Sequence, residues 1–190
     1  MQFAKTVLVW LIVSAALTLG GAAQAAGVQP CSLITRAEAA QILGEAVKPP
    51  RQKKVVGMAF GRSCTYYTAA PLAQRGGTGS VEIVVYDKQS MRDGAFTSPS
   101  EFYQRLLSAG RSAKAPIQEI KVPGGQGHWS ERGNSLHILL HDVYVVLRIH
   151  DLKKISAASS QELKKKVSEH YRQLAVSAAK KYVLPRLGGK

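Results

Sequence analysis

Acidic residues are scarce in this chain. Twelve Asp and Glu stand against 26 Lys and Arg, giving a formal charge of +14 over 190 residues. From Lys48 to Ser80 there is no acid at all. A surplus of that size keeps a protein soluble and attracts polyanions, but it does not specify a fold. Cysteine is scarcer still: only Cys31 and Cys64 occur, and no CxxC spacing supports a metal pair or a redox thiol. HExxH, GxSxG, a P-loop and a dinucleotide fingerprint are all missing, so none of the chemistries they mark can be assigned. The glycine-rich Gly76-Gly77-Thr78-Gly79 lacks the following Lys-Ser/Thr of a phosphate loop and is read as a hairpin loop. Neither an internal repeat nor a low-complexity tract appears.

Long apolar runs are also absent, with one exception at the start. Val7–Leu19 is continuously apolar, comes after a short basic leader and precedes Ala23-Gln24-Ala25, which fits the small-x-small rule. Residues 1–25 are therefore expected to be a signal peptide. The competing reading is an uncleaved anchor, because no charge lies between Thr6 and Gly27. Cys31 comes after Val28-Gln29-Pro30 rather than small residues, so no lipidation box is present. Residues 26–190 amount to a single domain's worth of chain, with a charge of +13 once Lys5 is lost. In a periplasmic or secreted setting, two cysteines most simply form one disulfide, closing a 33-residue loop.

Periodicity then places the elements. Thr35-Arg36-Ala37-Glu38 is a capping-box pattern opening a helix that Gly44 ends. Val47–Lys54 reads as a proline-stiffened basic connector. Cys64–Thr68 and Val81–Asp87 are expected to form a first hairpin. Ser98-Pro99-Ser100-Glu101 opens a second helix with a capping box and Gly110 closes it; a short strand is expected next, at Ile120–Val122. Gly124–Asp151 is a three-stranded meander. A two-residue turn at His141-Asp142 would set Leu140 opposite Val143, Ile138 opposite Val145 and Leu136 opposite Leu147. Trp129 is expected to close one end of this sheet under the final helix. That helix, about 159–184, opens with another capping-box pattern and carries Leu163, Val167, Tyr171, Leu174, Ala178 and Tyr182 on one stripe up to Pro185. The fold class is α+β: an antiparallel sheet of about five to six strands packed by helices.

Pro30-Cys31-Ser32-Leu33-Ile34-Thr35, the alanine-rich helix ending Leu43-Gly44, Cys64 before Thr65-Tyr66, and Gly125-x-Gly127-x-Trp129 before an aliphatic hairpin carry a resemblance. The pattern resembles small exported bacterial domains, often lipoproteins, that open with Pro-Cys-Ser-Leu-Leu-Thr. The resemblance implies a PsbP-like α/β/α sandwich and a non-enzymatic or unknown role in the envelope, and it brings no catalytic residues. This chain departs from the pattern in its missing lipidation box and its basic C-terminal helix.

Charge supplies the functional candidates. Lys48, Arg51, Lys53 and Lys54 in the connector, with Arg111, Lys114, Lys121, Lys153, Lys154 and Lys164, Lys165 and Lys166, are expected to form an anion-binding face. The alternative is a solvated coat. Partners would be an anionic envelope polymer, anionic lipid head groups or an acidic protein, with the membrane touched only peripherally unless the signal is uncleaved, and no cofactor is expected. Tyr66, Tyr67, Tyr86, Trp129 and Tyr144 on strands could stack single-stranded nucleic acid, but export argues against that partner. His137 and His141, four apart on a strand with Asp142 beside them, are weak metal candidates and the basis of an alternative reading as an envelope enzyme or metal binder. Processing gives the first test. Intact mass of the protein from the envelope fraction should start near Ala26, and a mass retaining residues 1–25 would establish the anchor instead.

Overall fold

The clearest alternation in the sequence becomes the core of a seven-stranded sheet. In the computed structural model, which describes residues 27–70, 77–92, 94–152 and 155–188, β6 (Ser135–Leu140) and β7 (Val143–His150) pair with Leu136 opposite Leu147, Ile138 opposite Val145 and Leu140 opposite Val143. This is the register read from the sequence. His141, in the turn, takes φ 52°. The expected leader, Gly76, Lys153 and Lys154 lie outside the described residues.

The other strands are β1 (Arg51–Val55), β2 (Gly61–Tyr67), β3 (Ser80–Asp87), β4 (Ile117–Glu119) and β5 (Gly125–Ser130). Their order is β1-β2-β3-β7-β6-β5-β4, antiparallel throughout. Among the described residues, five α-helical pieces flank them: α1 (Pro30–Leu33), α2 (Arg36–Leu43), α3 (Pro99–Ser112), α4 (Ser160–Ala178) and α5 (Leu184–Arg186). The fold is α+β, with helices on both faces of the sheet.

Because side chains alternate along a strand, each face has its own core. One is aliphatic: Val81, Ile83, Val85, Leu136, Ile138, Leu147 and Ile149 meet α1, α2 and the C-terminal helix. The other is aromatic: Val84, Tyr144 and Val146 meet Phe102, Tyr103 and Leu107 of α3. Trp129 is fully buried and donates from Nε1 to Ser168 Oγ of α4 at 3.1 Å. The last helix does lie over it.

The helical layer on the aliphatic face is tied at several points. Cys31 and Cys64 are disulfide-bonded with Cα atoms 5.3 Å apart, joining α1 to β2. Tyr66 donates its hydroxyl to the Ile34 carbonyl at 2.7 Å. Thr35 and Glu38 form the expected capping box, and Gly44 adopts the left-handed C-cap at φ 69°. Glu38 also receives Arg186 at 2.6 Å, while Arg186 donates to the Leu33 carbonyl at 2.8 Å. Hydrogen bonding from Arg186 is the main reason the Glu38 carboxyl is held down to about 2.

Several expectations need correction. There are seven strands rather than five or six. Half of the basic connector is the edge strand β1, whose first four residues are exposed and so carry no apolar period. The short strand lies at Ile117–Glu119, three residues before the expected Ile120–Val122. Gly110 does not end α3, which runs on to Ser112. A Cβ at Gly110 would come within 2.7 Å of Ile117 Cδ1, the tip of a side chain of β4 that packs over this turn of the helix. In α3 and α4 the N-caps Ser98 and Ser159 accept from Glu101 and Glu162 as expected. Each glutamate, however, reaches back one residue too far for a capping box, to the amides of Thr97 and Ala158. Pro185 does not stop the final helix. The chain widens into a π-helical turn over Ala179–Val183 and closes through α5, where a proline at the start of a turn needs no N–H. Leu163, at the head of the expected stripe, is 37% exposed. Burial deepens only towards Ala175 and Ala178.

The disulfide gives a stability test. Cys64→Ser should lower unfolding free energy by about 2–5 kcal/mol in urea titrations, and reductant should bring the wild type towards the same midpoint.

Candidate functional site

Loop and helix ends at the β4 edge of the sheet build a basic cleft of about 1080 Å³. Lys114 and Pro116 come from the link between α3 and β4, Glu131, Arg132 and Asn134 from the β5–β6 turn, and Glu162, Lys164 and Lys165 from the first turns of α4. Ser168, which lines the cleft, accepts from Trp129 Nε1 and so ties α4 to β5. Both acids are already engaged. Glu162 pairs with Lys166 at 2.8 Å and accepts from the Ala158 amide, and these bonds lower its pKa, with the Lys166 bond the largest cause. Glu131 accepts from Gln118 at 2.8 Å. Lys114, Arg132, Lys164 and Lys165 have no ion-pair partner among the described residues. Asn134 adds an amide oxygen that is buried without a hydrogen-bond partner. Such a group costs free energy until something satisfies it, and an amide can turn either its oxygen or its nitrogen to the task.

The expected anion-binding face is divided by this geometry. Lys164 and Lys165 enter the cleft, joined by Lys114, while Lys166 is drawn to Glu162. Lys48, Arg51, Lys53 and Lys54 are exposed on or beside β1, at the opposite edge of the sheet. Six strand spacings separate the edges, about 29 Å. Arg111 pairs with Glu119 at 3.4 Å, and Lys121 lines a second, smaller cleft of about 500 Å³. Arg132 and Asn134 escaped the sequence reading because a turn of Glu-Arg-Gly-Asn looks like any solvated hairpin connection.

Histidines have a different fate. His137 lies under α3, its ring stacked on His128 with centroids 4.5 Å apart and planes 7° from parallel, and stacked on Tyr144 at 5.9 Å. Its Nδ1 meets the Tyr144 hydroxyl at 2.5 Å and its Nε2 meets Ser135 Oγ at 2.9 Å. Either hydroxyl can donate or accept, so a neutral ring is satisfied in both tautomers. His141 is exposed in the turn. The structure therefore does not bring His137 and His141 to a common site. Among the described residues no group of three His, Cys, Asp or Glu could hold a metal ion.

His128 is 4% exposed and bonds Tyr103 at 3.0 Å. Burial is the main cause that brings His128 down to about 4 and His137 to about 3; Arg111 adds to the first, and His128 and Arg148 to the second. Burial likewise pushes Tyr103 up to about 12. At neutral pH the stack is uncharged and poorly suited to moving protons. Three of the strand aromatics considered for base stacking are core as well, Tyr66, Trp129 and Tyr144 being at most 1% exposed, while Tyr67 and Tyr86 are partly buried.

Comparison of the chain with protein-family models, with curated proteins and with solved structures returns no match. Among the described residues no helix is long and apolar enough to cross a membrane.

The imidazole stack makes stability depend on pH in a definable window. Both rings bind protons more weakly when folded than the ordinary value of 6.5. The unfolded chain is then protonated first, and stability falls as pH drops from about 6.5 towards 4. Glu38, whose folded value is lowered from 4.5, adds its own loss only below that value. Urea unfolding between pH 7 and 4.5 should show the decline, and His137→Asn should flatten it by about one proton while lowering stability at pH 7.

Proposed function

We propose that this protein is an exported, non-enzymatic cationic binding or accessory domain of the cell envelope, and that its ligand is an anionic polymer held in the cleft beside α4. The observation that carries this reading is the set of four cations without ion-pair partners among the described residues, Lys114, Arg132, Lys164 and Lys165, which three separate elements bring to one cleft. A coat that served only solubility would have no need to gather them in one cleft. An open cleft with cations on both banks suits a chain of phosphates or carboxylates better than a single small ion. The disulfide is consistent with an oxidising compartment, and the resemblance to small exported domains points the same way. The reading as a metal binder or enzyme through His137 and His141 draws no support from rings that are either fully bonded or placed in a distant turn.

Soluble polyphosphate serves as a probe. Its affinity should fall steeply with salt, because each contact releases condensed counterions. Arg132→Gln with Lys164→Gln and Lys165→Gln should flatten the slope of log K against log salt by about two to three, one for each cation removed. The melting temperature should stay nearly unchanged, since these side chains make no contacts in the core. Lys166→Gln, which removes a lysine already paired, should change the slope much less. No binding at low salt, or the same slope in the triple variant, would leave these lysines a solvated coat.

A further inference from the structure

The hairpin joining β1 to β2 presents the most exposed large apolar side chains among the described residues. Val56 is 73% exposed and Met58 63%; the only other such residue, Leu163, is 37% exposed and lies elsewhere. Gly57 stands between them, and a Cβ built on it would meet nothing within 4 Å, so the tip projects clear of the body. Just behind the tip come Lys53 and Lys54, exposed and on opposite faces of β1 because successive strand residues alternate. Neither has an ion-pair partner among the described residues. Lysines on an edge strand are a known guard against edge-to-edge pairing, and that explains the collar. It does not explain two apolar side chains held out in water beyond it.

We propose that this hairpin is a membrane-docking element that seats Val56 and Met58 in the outer acyl region of an anionic lipid bilayer, with Lys53 and Lys54 at the head groups. Two strand residues span about 6.6 Å, which sets Lys54 behind Val56 by the depth at which an interfacial element buries its apolar side. Charge complementarity selects the occupant. A second copy of this chain would bring the same lysines face to face, whereas phosphatidylglycerol-type head groups neutralise them. The base of the hairpin offers a cleft of about 470 Å³ whose lining mixes Val56 and Phe60 with Lys54, Arg62, Gln89 and Ser90. Arg62 is held there by Asp87, and its Nε is buried with no hydrogen-bond partner. A mixed apolar and cationic lining fits a phosphate head group and the root of its acyl chains. This surface lies at the opposite sheet edge from the α4 cleft and does not rest on the polymer-binding reading.

The test uses the chain from Ala26, which contains every described residue, with vesicles of phosphatidylcholine alone or with one quarter phosphatidylglycerol. Co-sedimentation should occur with the anionic vesicles and weaken with salt. In Val56→Trp, emission should shift to the blue on binding and be quenched by brominated lipid, against a constant background from buried Trp129. Val56→Asp with Met58→Asp should lower partitioning by at least about tenfold, as should Lys53→Gln with Lys54→Gln, the latter also removing most of the salt dependence. Unchanged near-ultraviolet circular dichroism would show that these exposed positions leave the fold intact. Lys164→Gln with Lys165→Gln should partition like the wild type, so failure of the cleft reading leaves this one standing. Absence of binding to anionic vesicles, an unshifted Val56→Trp, or full partitioning of the double aspartate variant would overturn the proposal. So would light scattering that shows the hairpin variants losing a dimer in place of vesicle binding.

Discussion

The pairing of β3 with β7 is the constraint on which the rest of the molecule depends. Eight residue pairs, from Ser80 with His150 to Asp87 with Val143, join the hairpin of β1 to β3 to the meander of β4 to β7. Among the described residues no other strand pairing connects those two halves. Both strands are central, so both of their faces must be covered, and both parities are apolar: Val81, Ile83 and Val85 on one side, Val84 on the other, matched by Val145, Leu147 and Ile149 against Tyr144 and Val146. Opening this seam would expose two cores at once. It also fixes which elements lie at the edges, and hence where charge can collect.

The carboxylates are largely consumed inside the structure. Arg62 holds Asp87, Arg148 holds Glu82, Arg172 holds Glu169 and Arg186 holds Glu38. Only Lys88 and Lys166 among the described lysines join ion pairs, with Asp142 and Glu162. That division reflects the chemistry of the two cations. A planar guanidinium can bond a carboxylate through two nitrogens at once, as Arg186 does with Glu38, while a lysine ammonium is a hydrated point charge on a flexible stem. With the few acids engaged mostly by arginine, the surplus charge among the described residues remains chiefly as unpaired lysine, joined by arginines such as Arg51 and Arg132. The exposed Lys88–Asp142 pair contributes little stability, whereas Asp87 is buried beneath its arginine. The larger effect of the pairs is on which cations are left over for a ligand.

Legibility in the sequence depended on how local the determinant was. The β6–β7 register could be read because a two-residue turn and a strict period of two leave one solution. The capping box at Thr35 and Glu38 could be read because its partners are three residues apart. β1 could not, because a strand exposed on both faces, Arg51-Gln52-Lys53-Lys54, has no apolar period to detect. His137 read as a weak metal candidate beside His141; its burial depends on α3 covering the second face of the sheet, which no pattern within β6 announces. The basic face failed as a single object for a topological reason. Lys54 and Lys164 look equivalent as charges, and only the strand order places them at opposite edges. Pro185 misled because a π-helical turn can shift the helix into a register where the missing N–H no longer matters.

Separation of the two cationic edges has a physical consequence for any account of function. About 29 Å lies between them, more than three Debye lengths at physiological ionic strength, where that length is about 8 Å. Neither edge can sense neutralisation of the other through the solvent. Coupling through the protein would need a part of the sheet with two arrangements, yet the central strands between the edges are deeply buried, with Val81, Ile83, Val145 and Leu147 fully inaccessible. A close-packed core of that kind transmits position but offers no second packing to switch into. A polyanion in the α4 cleft and a bilayer at the β1–β2 tip would therefore bind with additive free energies. The rigid sheet would then act as a spacer, holding one ligand at a fixed distance from the other.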